Sequence, residues 1–297
     1  MNSDLSGTSP ANHLEAPAQP LRYSAFTNDP AGGNPAGVVL DASGLDDEAM
    51  LRIAAEVGYS ETAFITDRVE ASRRFRVRYF SPLTEVAFCG HATVALAAAI
   101  ADRLGPGEIV LDTRAGEVPV TTTVDGDGVV SATLTSVPTR SRPALSTELD
   151  EALKALGWVP EDLDPALPPH VAFAGNDHLV LAVGSRERLA DLDYDFDGLA
   201  DVMRRHGWTT LLLLWRESPE RFHARNPFPV GGVVEDPATG AAAASLGGYL
   251  RTLGLVTGPA RITIRQGEDM GRPSDLLIDV DPQGTRTRVT GQAVRIV

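Results

Sequence analysis

The stretch GHATVALAAAIADRLG (residues 90–105) decides how the rest of the chain is read. From His91 to Ala101 almost every side chain is small or apolar, no polar stripe interrupts the run, and Gly105 stops it. A helix that is apolar on every side has to be buried on every side. A second stretch, GAAAASLGGYLRTLG (residues 240–254), has the same character, with a glycine start, alanines through the middle and a Leu-Gly stop. Each comes late in its own set of short strands. The simplest way to bury such a helix is to wrap a curved sheet around it. The two stretches therefore predict an α+β protein of two pseudo-symmetric lobes, each a mixed β-barrel-like sheet around a central α-helix.

The flanking sequence supplies the strands. Leu21–Phe26 and Val38–Leu40 read as strands around a turn-rich run, TNDPAGGNPAG (residues 27–37). Asp46–Val57 has helical spacing, with Met50, Leu51, Ile53, Ala54 and Val57 on one face. Arg74–Phe80 alternates Phe75, Val77 and Tyr79 against three arginines, a strand pattern. Ala63–Ile65 is a short strand, and Val118–Val124 with Val129–Leu134 form a hairpin around Asp125-Gly126-Asp127-Gly128. Pro138–Pro143 is the best linker. Beyond it, helices are expected at Glu148–Leu156 and over most of Leu189–His206. Strands are expected at His178–Val183, Leu211–Trp215, Glu220–Ala224, Ala260–Gln266, Asp275–Val280 and Arg286–Ile296.

Composition narrows the function. Lysine and arginine number 26 against 40 aspartates and glutamates, a formal charge of −14. Such a surface repels phosphate backbones, so nucleic acid is not an expected partner. The single cysteine, Cys89, allows no internal disulfide and fits a reducing cytoplasm. No apolar run has the length of a membrane span. Residues 1–20 lack a basic segment followed by an apolar block and read as a disordered tail. The six histidines (His13, His91, His170, His178, His206, His223) show no zinc-like spacing, so no metal is expected. Neither a Walker loop, a dinucleotide fingerprint nor a Gly-x-Ser-x-Gly elbow is present.

What remains is carboxylates, a histidine and helix ends. Backbone N–H groups at the starts of the two buried helices point outward and carry partial positive charge. If the lobes face each other, both ends meet in one cleft suited to a carboxylate. Thr93, and Thr239 or Asp236, are expected to cap at least one of these helices. Glu61, in YSETAF (residues 59–64), enters a strand beside Phe64 and Ile65. It reads either as a solvated surface group or as a partly dried carboxylate with a raised pKa, suited to taking a proton from carbon. His91 is an acid–base candidate or a structural histidine. Asp236 precedes Pro237, a common helix start. Arg265-Gln266-Gly267 with Met270–Ser274 is a Gly-rich loop with two cations, either a surface turn or an anion clamp.

Four ordered motifs, GGNPAGV (residues 32–38), YSETAF (59–64), CGHAT (89–93) and EDPATG (235–240), resemble the signature of the PhzF-like phenazine-biosynthesis family from about Leu21 onward. The run Gln266-Gly267 with Met270–Ser274 is similar to that family's C-terminal loop. The resemblance implies a diaminopimelate-epimerase-like fold with the active site between two lobes. It implies an N-terminal lobe of residues 21–138 plus 288–297, carrying Glu61 and His91, and a C-terminal lobe of residues 139–287 carrying Asp236. It implies a homodimer that uses no cofactor. Glu61, His91 and Asp236 fall on the family's catalytic positions. Backbone amides of Gly90, Thr239 and Gly240 would hold a substrate carboxylate or enolate, with Asn34, Arg265 and Gly267 also counted as substrate-binding. The reaction implied is a proton shift on a small anionic metabolite, like the isomerisation of trans-2,3-dihydro-3-hydroxyanthranilate, with Glu61 moving the proton. One residue departs from the pattern: Ala241 stands where the family often has Ser. Two other readings stay open. One is an amino-acid racemase or epimerase on the same fold, though a two-thiol version is excluded because only one cysteine exists. The other is a non-catalytic binder of small acids.

Overall fold

A computed structural model describes residues 19–68 and 72–297. Most of the tail expected at residues 1–20 lies outside the described residues. The first half of the chain runs β1 (Leu21–Ala25), β2 (Asn34–Val39), α1 (Asp47–Val57), β3 (Thr62–Arg68), β4 (Arg74–Phe80), β5 (Glu85–Val86), α2 (Gly90–Leu104), β6 (Gly107–Thr113), β7 (Gly116–Val124) and β8 (Val130–Thr135). The second half runs β9 (Arg140–Pro143), α3 (Ser146–Leu156), β10 (His170–Phe173), β11 (Asp177–Ala182), α4 (Arg186–Ala190), α5 (Phe196–His206), β12 (Trp208–Ser218), β13 (Arg221–Arg225), β14 (Pro227–Phe228), β15 (Val233–Glu235), α6 (Gly240–Thr252), β16 (Ala260–Gln266), β17 (Ser274–Val280) and β18 (Thr287–Ile296).

Strands β1, β2, β3, β4, β6, β7, β8 and β18 follow one another around a barrel that closes where β18 pairs with β1. The sheet then continues from β18 through β17, β16, β13, β12, β11 and β10 to β9. β18 therefore belongs to both halves, pairing β8 on one side and β17 on the other. Each half repeats one device. A parallel pair, β4 with β6 in the first and β13 with β16 in the second, is joined through a long buried helix. These helices are α2 and α6. Every residue of α2 from His91 to Ala101 is buried, and so is every residue of α6 from Ala242 to Leu250. The all-round apolar character has its cause here, since each helix is lined by sheet on all sides.

The other long helices lie outside. α3 and α5 cover the outer face of β11 and β12, so the leucine run of β12 serves two cores at once. Leu211 and Leu213 pack outward with Leu153, Leu156, Leu199 and Met203, while Leu212 and Leu214 pack inward around α6. The period of two in a strand makes this division. The helix expected over most of Leu189–His206 is two helices, because Asp195 caps a new start with its side chain on the Gly198 amide. The linker expected at Pro138–Pro143 is in part a strand. Arg140–Pro143 pairs with β10, and Arg140 lies 3.5 Å from the centre of the Phe173 ring.

Candidate active site

The starts of α2 and α6 abut. A Cβ placed on Gly90 would lie 3.9 Å from the Gly240 Cα. The first amides to find helical acceptors are Thr93, on the Cys89 carbonyl, and Ala243, on the Thr239 carbonyl. Neither helix has a side-chain cap at its N-terminus. This corrects the expectation that Thr93, Thr239 or Asp236 would cap one of them. Thr93 instead donates its hydroxyl to the Cys89 carbonyl at 2.7 Å and is itself met by the Tyr79 hydroxyl. The N–H groups of both first turns are thus left without helix carbonyls, and their positive ends converge.

Around this junction the barrel places the acid–base groups. Glu61 sits where the chain turns into β3, and its carbonyl accepts from the Gly37 amide of β2 at 3.1 Å, which fixes its backbone. Its Oε2 lies 3.3 Å from His91 Nε2, with the two side chains 18% and 7% exposed respectively. The carboxylate is mostly dried yet open on one side. Ser60 Oγ is 3.2 Å from the same histidine nitrogen, and Cys89 Sγ is 3.4 Å from Nδ1. Burial pushes the Cys89 thiol well up, with the Glu61 charge adding to it, which favours the protonated thiol.

Asp236 comes from the other half. Asn34 Nδ2 donates to Asp236 Oδ1 at 2.7 Å and to the Ala238 carbonyl at 3.1 Å, which ties β2 to the turn before α6. Thr239 Oγ1 donates to Asp236 Oδ2 at 2.5 Å. Burial pushes the Asp236 carboxyl up to about 6; the His91 charge and these two hydrogen bonds oppose it, and the Glu61 charge adds to it. Asp236 therefore lies within electrostatic reach of both Glu61 and His91.

The remaining expected residues divide. Gly90 and Gly240 line the junction. Asn34 holds Asp236. The Thr239 amide, expected to meet substrate, donates to Gln266 Oε1 at 3.1 Å. Arg265 is not brought to the cluster: its guanidinium pairs with Glu268 at 3.2 Å and Asp275 at 2.6 Å. Gly267 serves the turn. Its φ is +77°, and a Cβ there would sit 2.3 Å from the Arg272 carbonyl and 2.8 Å from that of Pro237. Two residues were missed as site residues. Gln266, fully buried, donates to the Asp236 carbonyl at 2.7 Å and to Thr239 Oγ1 at 3.1 Å. Strand alternation was the available signal, since Gln266 must face opposite to its charged neighbour Arg265. Arg272 reaches across to the first half, with Nε on the Gly33 carbonyl at 2.8 Å and Nη2 on the Gly32 carbonyl at 2.6 Å.

A sequence profile of phenazine biosynthesis-like proteins, PhzC-PhzF, matches residues 23–297. The chain belongs to this family. Among the relatives of this PhzF-family chain is an uncharacterized isomerase of Deinococcus radiodurans, 35% identical, the match covering 89% of this chain and 87% of that one. Another is trans-2,3-dihydro-3-hydroxyanthranilate isomerase of Pseudomonas aeruginosa, 31% identical over 88% and 90% of the two chains. The crystal structure of a PhzF-family phenazine biosynthesis protein from Bacillus anthracis superposes with a TM-score of 0.83 at 26% identity, covering 94% of this chain and 96% of the other. This PhzF-family chain is an enzyme of the isomerase and epimerase class. Among the described residues no helix is long and apolar enough to cross a membrane.

Proposed function

We propose that this enzyme moves a proton between carbons of a small carboxylate metabolite, with Glu61 as the base and with no metal or organic cofactor in the reaction. The observation that carries the reading is the convergence of Glu61, His91 and Asp236 on two abutting, uncapped helix starts. A substrate carboxylate lodged there accepts hydrogen bonds from amides such as those of Gly90 and Gly240. Removal of a proton from the neighbouring carbon spreads negative charge onto that carboxylate, where fixed N–H dipoles stabilise it without reorganising. Glu61, mostly dried and 3.3 Å from His91, takes the proton. His91 shares the charge that develops. Return of the proton by Glu61 to a second carbon makes an isomerase.

A second reading, epimerisation, has one observation in its favour. Burial raises the Asp236 carboxyl to about 6, which suits it to donate a proton as a second acid–base group beside Glu61. Ala241, in the first turn of α6 and partly exposed, offers a methyl where a hydroxyl is frequent. This favours a substrate other than the phenazine precursor, one that needs no hydroxyl partner at that point.

The test is turnover in heavy water, followed by proton NMR, on trans-2,3-dihydro-3-hydroxyanthranilate and a panel of small amino and hydroxy acids. A one-base shift retains part of the substrate hydrogen, and a two-base epimerase fills the position with deuterium. For the substrate found, Glu61→Gln is expected to cost roughly 10²–10⁴-fold in kcat with an unchanged circular dichroism spectrum. Turnover equal to the parent in that variant removes the proposal.

A further inference from the structure

The strand that leads into Asp236, β15, buries only one of its three residues, and that residue is a glutamate. Val233 and Val234 stand exposed, while Glu235 is 6% exposed and meets Arg225, 9% exposed. Arg225 Nη2 donates to Glu235 Oε2 at 2.6 Å and Nε to Oε1 at 3.1 Å. We propose that Arg225 and Glu235 are positioning residues, a buried pair that aims Asp236 into the site. The ribbon of β14 and β15 is not joined to the large sheet, and two strands alone are marginal in water. The pair supplies the burial that the two valines do not.

Arg225 ends β13 opposite Leu213, and like Leu213 it faces outward. Its Nη1 donates to the Ala190 carbonyl at the end of α4, 2.8 Å away. Asn226 turns inward, with Nδ2 on Thr210 Oγ1 at 3.2 Å, and its carbonyl accepts from the Asp236 amide at 3.0 Å. The pairing of the ribbon thus runs on to Asp236. Successive side chains of an extended chain point opposite ways. With Glu235 gripped from the outer side, Asp236 is sent the other way, to Asn34 of β2. A slip of one residue would exchange the two faces, and both neighbours here are acids. The planar fork of Arg225 takes one carboxylate in one orientation and so decides which acid faces in. An interior ion pair often stabilises no more than apolar residues of the same volume. Aim, more than stability, is what this one supplies.

The placement stands by itself; its catalytic purpose rests on the reading of Asp236 as an acid–base group. The test therefore begins without substrate. The intact chain is labelled with carboxyl-13C aspartate, Asp236→Asn assigns the signal, and Arg225→Met is combined with Glu235→Leu. The parent signal should titrate near 6. The double variant should keep the urea stability of the parent, while its Asp236 titration falls toward the ordinary 3.8 as the carboxyl escapes burial. If the double variant does not fold, Glu235→Gln, which keeps the shape, is read in the same way. On the substrate found in the heavy-water panel, Glu235→Gln should cost about 10²-fold in kcat, the scale of an ångström's misplacement, with little change in KM. It should cost nothing further in an Asp236→Asn background, because the pair acts through that residue. An Asp236 titration unmoved in the pair variants, or kcat losses that add in full, overturns the proposal. Full turnover by Asp236→Asn would instead remove the acid–base role of Asp236, and with it the catalytic purpose of the pair.

Discussion

Asp236 shows how one residue ties stability to chemistry. Its value in the folded chain, about 6, lies above the ordinary 3.8 because burial penalises the ionised form. As pH rises, the unfolded chain gives up this proton first. The stability that Asp236 contributes is fully present below about pH 4 and is lost as pH climbs through about 6. Asp236→Asn cannot ionise and escapes that loss. In urea melts, the variant should gain about 1–3 kcal/mol on the parent between about pH 4 and pH 7.5. A difference that does not move with pH would show that the carboxyl is not perturbed. Where Asp236 acts as proton donor, kcat/KM of the parent falls as pH rises through about 6, and Asp236→Asn loses that limb. Gln266 is tested separately. Gln266→Leu leaves the Thr239 amide and the Asp236 carbonyl without their partner, at an expected cost of about 1–3 kcal/mol by denaturant titration. A neutral outcome would mean water replaces it.

At the level of elements, the buried helices rest on close approaches that tolerate no added atoms. Phe26 has a φ of 64°, an uncommon conformation for an aromatic residue. Its ring lies against Gly291 of β18 on one side and near Gly240 on the other. A Cβ at position 291 would come within 2.2 Å of the ring, and one at 240 within 3.5 Å. Gly291→Ala is expected to cost about 1–3 kcal/mol in urea denaturation through overpacking. It should also raise KM, because the displaced ring pushes on the start of α6. The same level shows what could be read from residues alone. Helices α2 and α6 were legible because burial on all sides demands an unbroken apolar surface, and the strand of Arg74–Phe80 because one face alternates. β2 was read only from Val38, since Asn34, Pro35 and Gly37 look like a turn. It starts at Asn34 because β3 pairs with it only from Gly37 onward, and proline is tolerated where a strand has one neighbour. β6 was not read at all: Ile109 and Leu111 are its only fully buried apolar residues, too few to stand out. Within the site, Glu61, His91 and Asp236 were named from motifs, whereas the crossing hydrogen bonds of Gln266 and Arg272 leave no mark on spacing.

For the molecule as a whole, the site exists only if two distant parts of the chain stay joined. Arg272 bonds the Gly32 and Gly33 carbonyls, the Gly33 amide donates to the Pro273 carbonyl at 3.0 Å, and the Asp275 amide to that of Phe26 at 2.8 Å. Arg272→Met keeps the bulk and removes the donors. It should cost about 1–3 kcal/mol and speed amide hydrogen exchange at residues 24–33, while leaving exchange in α3 and α5 unchanged. Equal acceleration everywhere would point to general loosening instead. The order of strands has one more effect. Seven staves of the barrel are made by Thr135, yet the eighth, β18, begins at Thr287. On the ribosome, the half that holds Glu61 and His91 must therefore wait, with Leu134 and Ala25 lacking their final neighbour, until more than half of the polypeptide has followed it out. An exposed strand edge held for that long is where chaperones, or stray chains, would be met first.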